Sequence, residues 1–163
     1  MKLCIIYHSE TGNTRHIAQH LASAVDGHLV EVYDRASYSA LTRFLLRCKK
    51  ARSEELTPIE PASIDVSAYD LLAFGSPVWA FKPTPVIHAA IAALKGCEGG
   101  KRAVAFFTHG GRPGESEEVA KKWVEARGMH FSGAHAIQQK NIEDEKKNEE
   151  LARFIEAAQH AAG

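Results

Sequence analysis

Six consecutive residues, Ser9, Glu10, Thr11, Gly12, Asn13 and Thr14, place three hydroxyls, an amide and a glycine between two patterned segments. Before them runs an apolar stretch from Leu3 to Tyr7. After them Ile17, Ala18, Leu21, Ala22 and Val25 recur at helical spacing. A strand, a hydroxyl-rich turn and a helix in that order gather backbone N–H groups and hydroxyls around one point, and the helix N-terminus adds partial positive charge there. That is the chemistry of a phosphate site. No Lys follows the glycine at the G-x-x-x-x-G-K-[ST] position, which argues against a triphosphate held with Mg²⁺. A single glycine also fails G-x-G-x-x-G, the dinucleotide fingerprint. A phosphate monoester gripped by hydroxyls and amides fits what remains. The competing reading is that Thr11 to Thr14 only cap the helix, since Ser, Thr and Asn are preferred caps.

In an open parallel sheet, ligands bind beyond the carboxyl ends of the strands. Two further segments leave such ends. Ser76, Pro77, Val78, Trp79, Ala80, Phe81 and Lys82 form a loop with prolines at 77, 83 and 85, which lower the entropy lost when the loop is ordered. An aromatic ring held there can stack on a flat ligand, at ~0.5–1.5 kcal/mol beyond its burial. Folding of Trp79 and Phe81 back into the core is the alternative. Thr108 ends an apolar strand and leads into His109, Gly110, Gly111, Arg112, Pro113 and Gly114, where glycines allow close backbone approach to a ligand or positive φ. An ordinary turn before the next helix is the plainer account of that loop.

The elements that must position these loops follow from periodicity. Strands are expected at 2–8, 28–33, 71–75, 102–108 and 130–137, and the first, third and fourth are almost continuously apolar, as strands covered on both faces must be. Helical patterns lie between them. Ile87, Ile91 and Leu94 follow Pro83 and Pro85. Val119, Trp123 and Val124 follow acidic Glu115, Glu117 and Glu118. Leu151, Phe154, Ile155 and Ala158 form the last stripe. Alternating strands and helices imply an α/β three-layer, doubly wound sandwich in one domain spanning 1–163.

Twenty Lys plus Arg balance twenty Asp plus Glu, so no global field points to nucleic acid or an acidic membrane. The apolar start is too short for a secretory core, and no stretch approaches the ~18 apolar residues of a membrane span. Cys4, Cys48 and Cys97 lie far apart and read as reduced thiols in the cytoplasm. Between Ala36 and Ser67 the chain is long for one crossover. It carries Leu41, Phe44, Leu45 and Leu46 with a basic cluster, Arg43, Arg47, Lys49, Lys50 and Arg52. That cluster reads as a solvated face or as a docking patch for an acidic partner. His16 and His20 lie four apart without a third ligand in sequence, so solvated side chains are expected and no metal site.

Together the three loops offer a phosphate grip, a stacking wall and a backbone-lined edge for a polar heterocycle. On the T-G-N-T loop after strand one, G-S-P-V-W-A-F after strand three and the Gly-rich loop after strand four, the chain resembles the flavodoxin-like family over its whole length. The resemblance implies a five-stranded parallel sheet of order 2-1-3-4-5 and tightly but noncovalently bound FMN. It places the FMN phosphate on Ser9, Glu10, Thr11, Gly12, Asn13 and Thr14. The isoalloxazine then lies between Ser76 to Phe81, with Trp79 stacked, and Thr108 to Gly111. Three departures stand out: flavodoxins are typically acidic whereas this chain is neutral, Ala80 stands where Gly is common, and His109 stands where many carry a stacking Tyr. In that family the turn after the stacking residue reorients on reduction, and the reoriented turn needs positive φ at the position of Ala80. The implied function is single-electron transfer between redox partner proteins. The alternative is a flavin-dependent NAD(P)H or quinone reductase, and a colourless receiver domain is disfavoured because Tyr7, His8 and Ser9 supply no acidic cluster.

Overall fold

The structure is a computed structural model that describes residues 1–35 and 56–160. Five strands form its central parallel sheet: β1 (Leu3–Tyr7), β2 (Gly27–Glu31), β3 (Leu71–Trp79), β4 (Arg102–His109) and β5 (His130–Gln138). Their spatial order is β5-β4-β3-β1-β2, the expected 2-1-3-4-5. All five residues of β1 are buried, as are Leu71 to Ser76 and Ala103 to Thr108, so the apolar runs are the strands covered on both faces.

Helices α1 (Asn13–Val25) and α4 (Glu145–His160) cover one face, where Ile17, Leu21, Leu151 and Ile155 pack on Ile5, Leu71, Val104 and Phe106. Helices α2 (Pro85–Ala92) and α3 (Ser116–Glu125) cover the other, where Val86, Ile91, Val119 and Trp123 meet Ile6, Phe74, Ala105 and Phe107. The α/β three-layer, doubly wound expectation is therefore borne out.

Two boundaries differ from the periodicity reading by more than one residue. The second strand ends at Glu31, and Tyr33–Asp34 leaves the sheet to pair antiparallel with Ile59–Glu60. β3 runs four residues beyond its apolar stretch, to Trp79, because Ser76 and Pro77 continue the register with Phe107 and Thr108 and then Val78 and Trp79 pair back onto Lys82–Pro83. Backbone pairing there overrides a composition rich in turn residues. The amphipathic Leu41–Leu46 piece, the basic Arg43–Arg52 cluster and Cys48 lie outside the described residues.

Two local constraints set the site's frame. Tyr7 lies opposite Gly75, and Gly75 opposite Phe106. A Cβ at Gly75 would fall 2.6 Å from Phe106 Cε2, so the fully buried ring requires glycine beneath it. At the β1–β2 edge, Glu31 accepts Arg15 Nε at 3.0 Å, Arg15 Nη2 at 2.6 Å and the Tyr7 hydroxyl at 3.0 Å. This ties the first turn of α1 to both strands. Burial acts to raise the Glu31 carboxyl pKa, but hydrogen bonds from Arg15, Tyr33 and Tyr7 outweigh it and hold the group below the ordinary carboxylate range. Burial first, and then Glu31, push the Tyr7 phenol up to about 12.

Gly75→Ala is expected to destabilise the fold by about 1–3 kcal/mol through overpacking, read as a lower urea midpoint, with partial recovery when Phe106→Leu is added. An unchanged midpoint would show that the ring can move aside. The Glu31 cluster predicts a pH dependence. Because its folded pKa is depressed, its stabilisation is present above the unfolded carboxylate value of about 4.3 and is lost as pH falls through the folded pKa. The midpoint gap between the native chain and Glu31→Gln should therefore be widest near neutrality and close in acid; a gap independent of pH would contradict the pairing.

Candidate functional site

Helix α1 starts at Asn13 with Gly12 as its N-cap at φ 96°, and no side chain caps it. The hydroxyls of the loop are thus not used as caps. The amide of His16 makes the first helical bond, to Gly12 O, which leaves the Asn13, Thr14 and Arg15 amides at the positive end of the helix. Ser9 is 8% exposed, and its Oγ is buried without a hydrogen-bond partner. An unsatisfied buried hydroxyl costs about 1–3 kcal/mol, so a group that accepts from it belongs here. An anion at the helix N-terminus meets that demand. Glu10 and Thr11 are exposed, and Gly12 and Asn13 half-buried. Thr14 differs from its sequence-based role: its buried hydroxyl lies 2.8 Å from that of Thr108 and joins the loop to β4, so only its amide faces the helix end with the others.

Trp79 and Lys82 pair across a two-residue turn formed by Ala80 and Phe81. Their φ values are 49° and 67°. Two positive φ values mark the type I′ hairpin turn, which favours Asn-Gly. Left-handed backbone costs roughly 1–2 kcal/mol for each residue bearing a Cβ. The geometry expected at Ala80 in a reoriented turn is thus present in this structure and extends to Phe81. Phe81 is 61% exposed and Trp79 half-buried, so neither ring folds fully into the core. The Trp79 ring meets the His8 ring edge-on, with centroids 6.0 Å apart and planes at 86°. His8 is itself buried, and its Nδ1 lies 2.8 Å from the Val32 carbonyl, which can only accept; Nδ1 therefore carries the proton and the ring is held in place. At the base of the hairpin, buried Ser76 accepts the Thr84 amide at 2.9 Å and donates to Pro77 O at 2.8 Å.

His109 is half-buried at the end of β4, and its Nδ1 is buried without a hydrogen-bond partner. The Gln138 side chain donates to Gly110 O at 3.1 Å. The Glu115 amide donates to Phe81 O at 2.8 Å, which joins the end of the third loop to the hairpin tip. Residues 8–14, 76–82 and 108–115 are thereby linked in pairs along one edge of the sheet: Thr14 to Thr108, His8 to Trp79, and Glu115 to Phe81. The arrangement offers an anion end at α1 and an aromatic wall at Trp79. A polar edge at His109, Gly110 and Gly111 completes it, as a phosphorylated flat heterocycle requires.

Sequence reasoning missed Thr84, Glu115 and Gln138. Thr84 had a signal, because Thr before Pro85 is a helix N-cap followed by proline at N1, and its hydroxyl does accept the Ile87 amide. Glu115 acts through its backbone and Gln138 from the edge strand, and neither has a sequence signature.

The sequence and fold were compared with known proteins. No curated protein gives a significant match. Among solved structures, a flavoprotein from Lactobacillus acidophilus NCFM in complex with FMN superposes with a TM-score of 0.69 at 24% identity, covering 83% of this chain and 92% of that one. The two-electron reduced flavodoxin of Megasphaera elsdenii gives 0.58 at 20% identity, covering 92% and 97%. A flavodoxin, WrbA-like protein from Agrobacterium tumefaciens gives 0.60 at 15% identity, covering 97% of each chain. These likenesses establish the flavodoxin-like fold. The family model described as NADPH-dependent FMN reductase matches residues 1–144, and the flavin it names is the one expected from the three loops. The match spans most of the chain, and the protein belongs to the NADPH-dependent FMN reductase family.

Proposed function

We propose that the chain is one FMN-binding domain that passes single electrons between redox partner proteins. The observation that carries this reading is the partnerless buried hydroxyl of Ser9 beside the uncapped end of α1. In this reading Ser9, Thr11 and the amides of Gly12, Asn13, Thr14 and Arg15 hold the phosphate, and Glu10 lies on the loop's exposed side. Trp79 lies against one face of the ring, with Ser76, Pro77, Val78, Ala80 and Phe81 building the hairpin that presents it. Thr108, His109, Gly110 and Gly111 border the other side.

Bound FMN supplies reversible one- and two-electron redox chemistry. The protein's part is to hold the ring, to keep water from its buried edge and to direct polar groups at it. His8 holds Trp79 edge-on, and the half-buried His109 presents a buried, partnerless Nδ1 to the heterocycle. No helix among the described residues is long and apolar enough to cross a membrane. A cytoplasmic setting is part of the proposal and is supported by the free, buried thiols of Cys4 and Cys97.

The family description favours a second reading, an NAD(P)H or quinone reductase built on the same cradle. The sequence has no G-x-G-x-x-G segment for a dinucleotide, which is why the carrier stands first.

Two measurements test these readings. Ser9→Ala with Thr11→Ala should lower FMN affinity by roughly tenfold or more per phosphate hydrogen bond lost, at about 1.5–3 kcal/mol each, and leave riboflavin affinity unchanged. Trp79→Ala should weaken both flavins alike. Equal losses of FMN and riboflavin from the Ser9 and Thr11 changes would refute the phosphate assignment. For the carrier, holoprotein mixed under anaerobic conditions with excess NADPH and a quinone as electron acceptor should leave the reduced-nicotinamide absorbance constant. Rapid NADPH oxidation, or turnover with added quinone, would establish the reductase instead.

A further inference from the structure

The 79–82 turn holds two adjacent non-glycine residues at positive φ, and neither is stabilised there by its side chain. Ala80 is half-buried, and Phe81 exposes 61% of its surface. Strained backbone of this kind persists only where its surroundings over-determine it. The surroundings here are the strand pairing of Trp79 with Lys82, the Ser76–Thr84 bonds at the hairpin base, and one contact at the tip. At the tip, Phe81 O accepts the Glu115 amide at 2.8 Å. Immediately before it, Gly114 sits at φ 60°, where a Cβ would lie 2.6 Å from Phe81 O and 2.8 Å from Phe81 Cα. The post on which this contact stands is rigid: Glu115 is the N-cap residue of α3, Ser116 is fully buried and donates to Pro113 O, and Val119, Trp123 and Val124 anchor the helix in the core.

We infer that Gly114 and the Glu115 amide form a latch that holds the 79–82 turn in its left-handed form and so positions Trp79 for the flavin ring. The inference rests on the FMN reading for its purpose, but not for its geometry. Gly114 admits the turn to within hydrogen-bonding range, and Glu115 N–H then engages the carbonyl that follows both strained residues. The latch is a positioning device that acts through Trp79. It is separate from the phosphate loop, so its loss should weaken the ring side of the site and spare the phosphate side.

The test begins with the flavin-free native protein. The Glu115 amide lies outside the helical hydrogen-bond ladder, so its protection from hydrogen exchange reports the bond to Phe81 alone. It should exchange measurably more slowly than the Arg112 amide of the same loop, and equal exchange would overturn the latch whether or not flavin binds. Glu115→Pro, which removes the donor, should lower FMN and riboflavin affinity by the same factor, up to about tenfold for one hydrogen bond's worth of bias, and shift the bound flavin's visible spectrum. Glu115→Gln keeps the amide and should match the native chain. The deciding rescue is Ala80→Gly with Phe81→Gly. Glycines adopt the turn unaided, so in that background Glu115→Pro should retain less than about half of its affinity effect. An effect of the same size in both backgrounds would mean that Glu115→Pro acts by damaging α3, and the latch would be rejected. A native chain that binds neither flavin would overturn the FMN reading itself, and the exchange measurement would still decide the latch.

Discussion

The ring of Phe106 lies over Gly75 so closely that no side chain fits between them, and this crossing sets the height at which every loop of the site leaves the sheet. Gly75 is paired with Phe106 on one side and with Tyr7 on the other. A fully buried ring in a close-packed layer has nowhere else to go, so the three strands are locked in one register. A slip of one residue would turn every side chain of β3 to the opposite face. Trp79 would then leave the side of the hairpin on which it meets His8.

With the register fixed, Thr14 with Thr108 and Glu115 with Phe81 join neighbouring loops, and Ser76 with Thr84 closes the base of the hairpin. The Thr14–Thr108 and Ser76–Thr84 bonds are buried, where satisfied bonds stiffen the frame, whereas Glu115–Phe81 lies at the exposed tip. Against that background the two partnerless atoms of these loops, Ser9 Oγ and His109 Nδ1, stand out. One lies beside the α1 N-terminus and one at the end of β4. Buried polar groups are nearly always paired in folded proteins, so exceptions gathered in one edge of a sheet point to a ligand that completes them.

The same cradle serves a carrier and a reductase, because both need the flavin held by its phosphate and one ring face. The fold does not separate them; the groups that line the site do, the hairpin tip among them. Here the tip is built from Ala80 and Phe81 in a conformation suited to glycine, with an exposed aromatic ring at its apex. The turn is therefore both the strained part of the proposed site and an exposed part of it.

Much of this was legible in the residues. Continuous apolar runs at Leu3 to Tyr7, Leu71 to Gly75 and Arg102 to Thr108 announced strands buried on both faces, and a hydroxyl-rich turn before an amphipathic helix marked the loop that holds the partnerless buried hydroxyl of Ser9. These signals are local, since periodicity and turn chemistry act within a few residues of one another. The extension of β3 to Trp79, the diversion of the Thr14 hydroxyl to Thr108 and the bond from Glu115 to Phe81 were decided only by the tertiary structure. Each joins residues far apart in the chain, through backbone groups that every residue shares or through a hydroxyl that could equally have served a ligand. Side-chain identity states what a group can do, but only packing decides which of its possible partners comes within 3 Å, the range of a hydrogen bond.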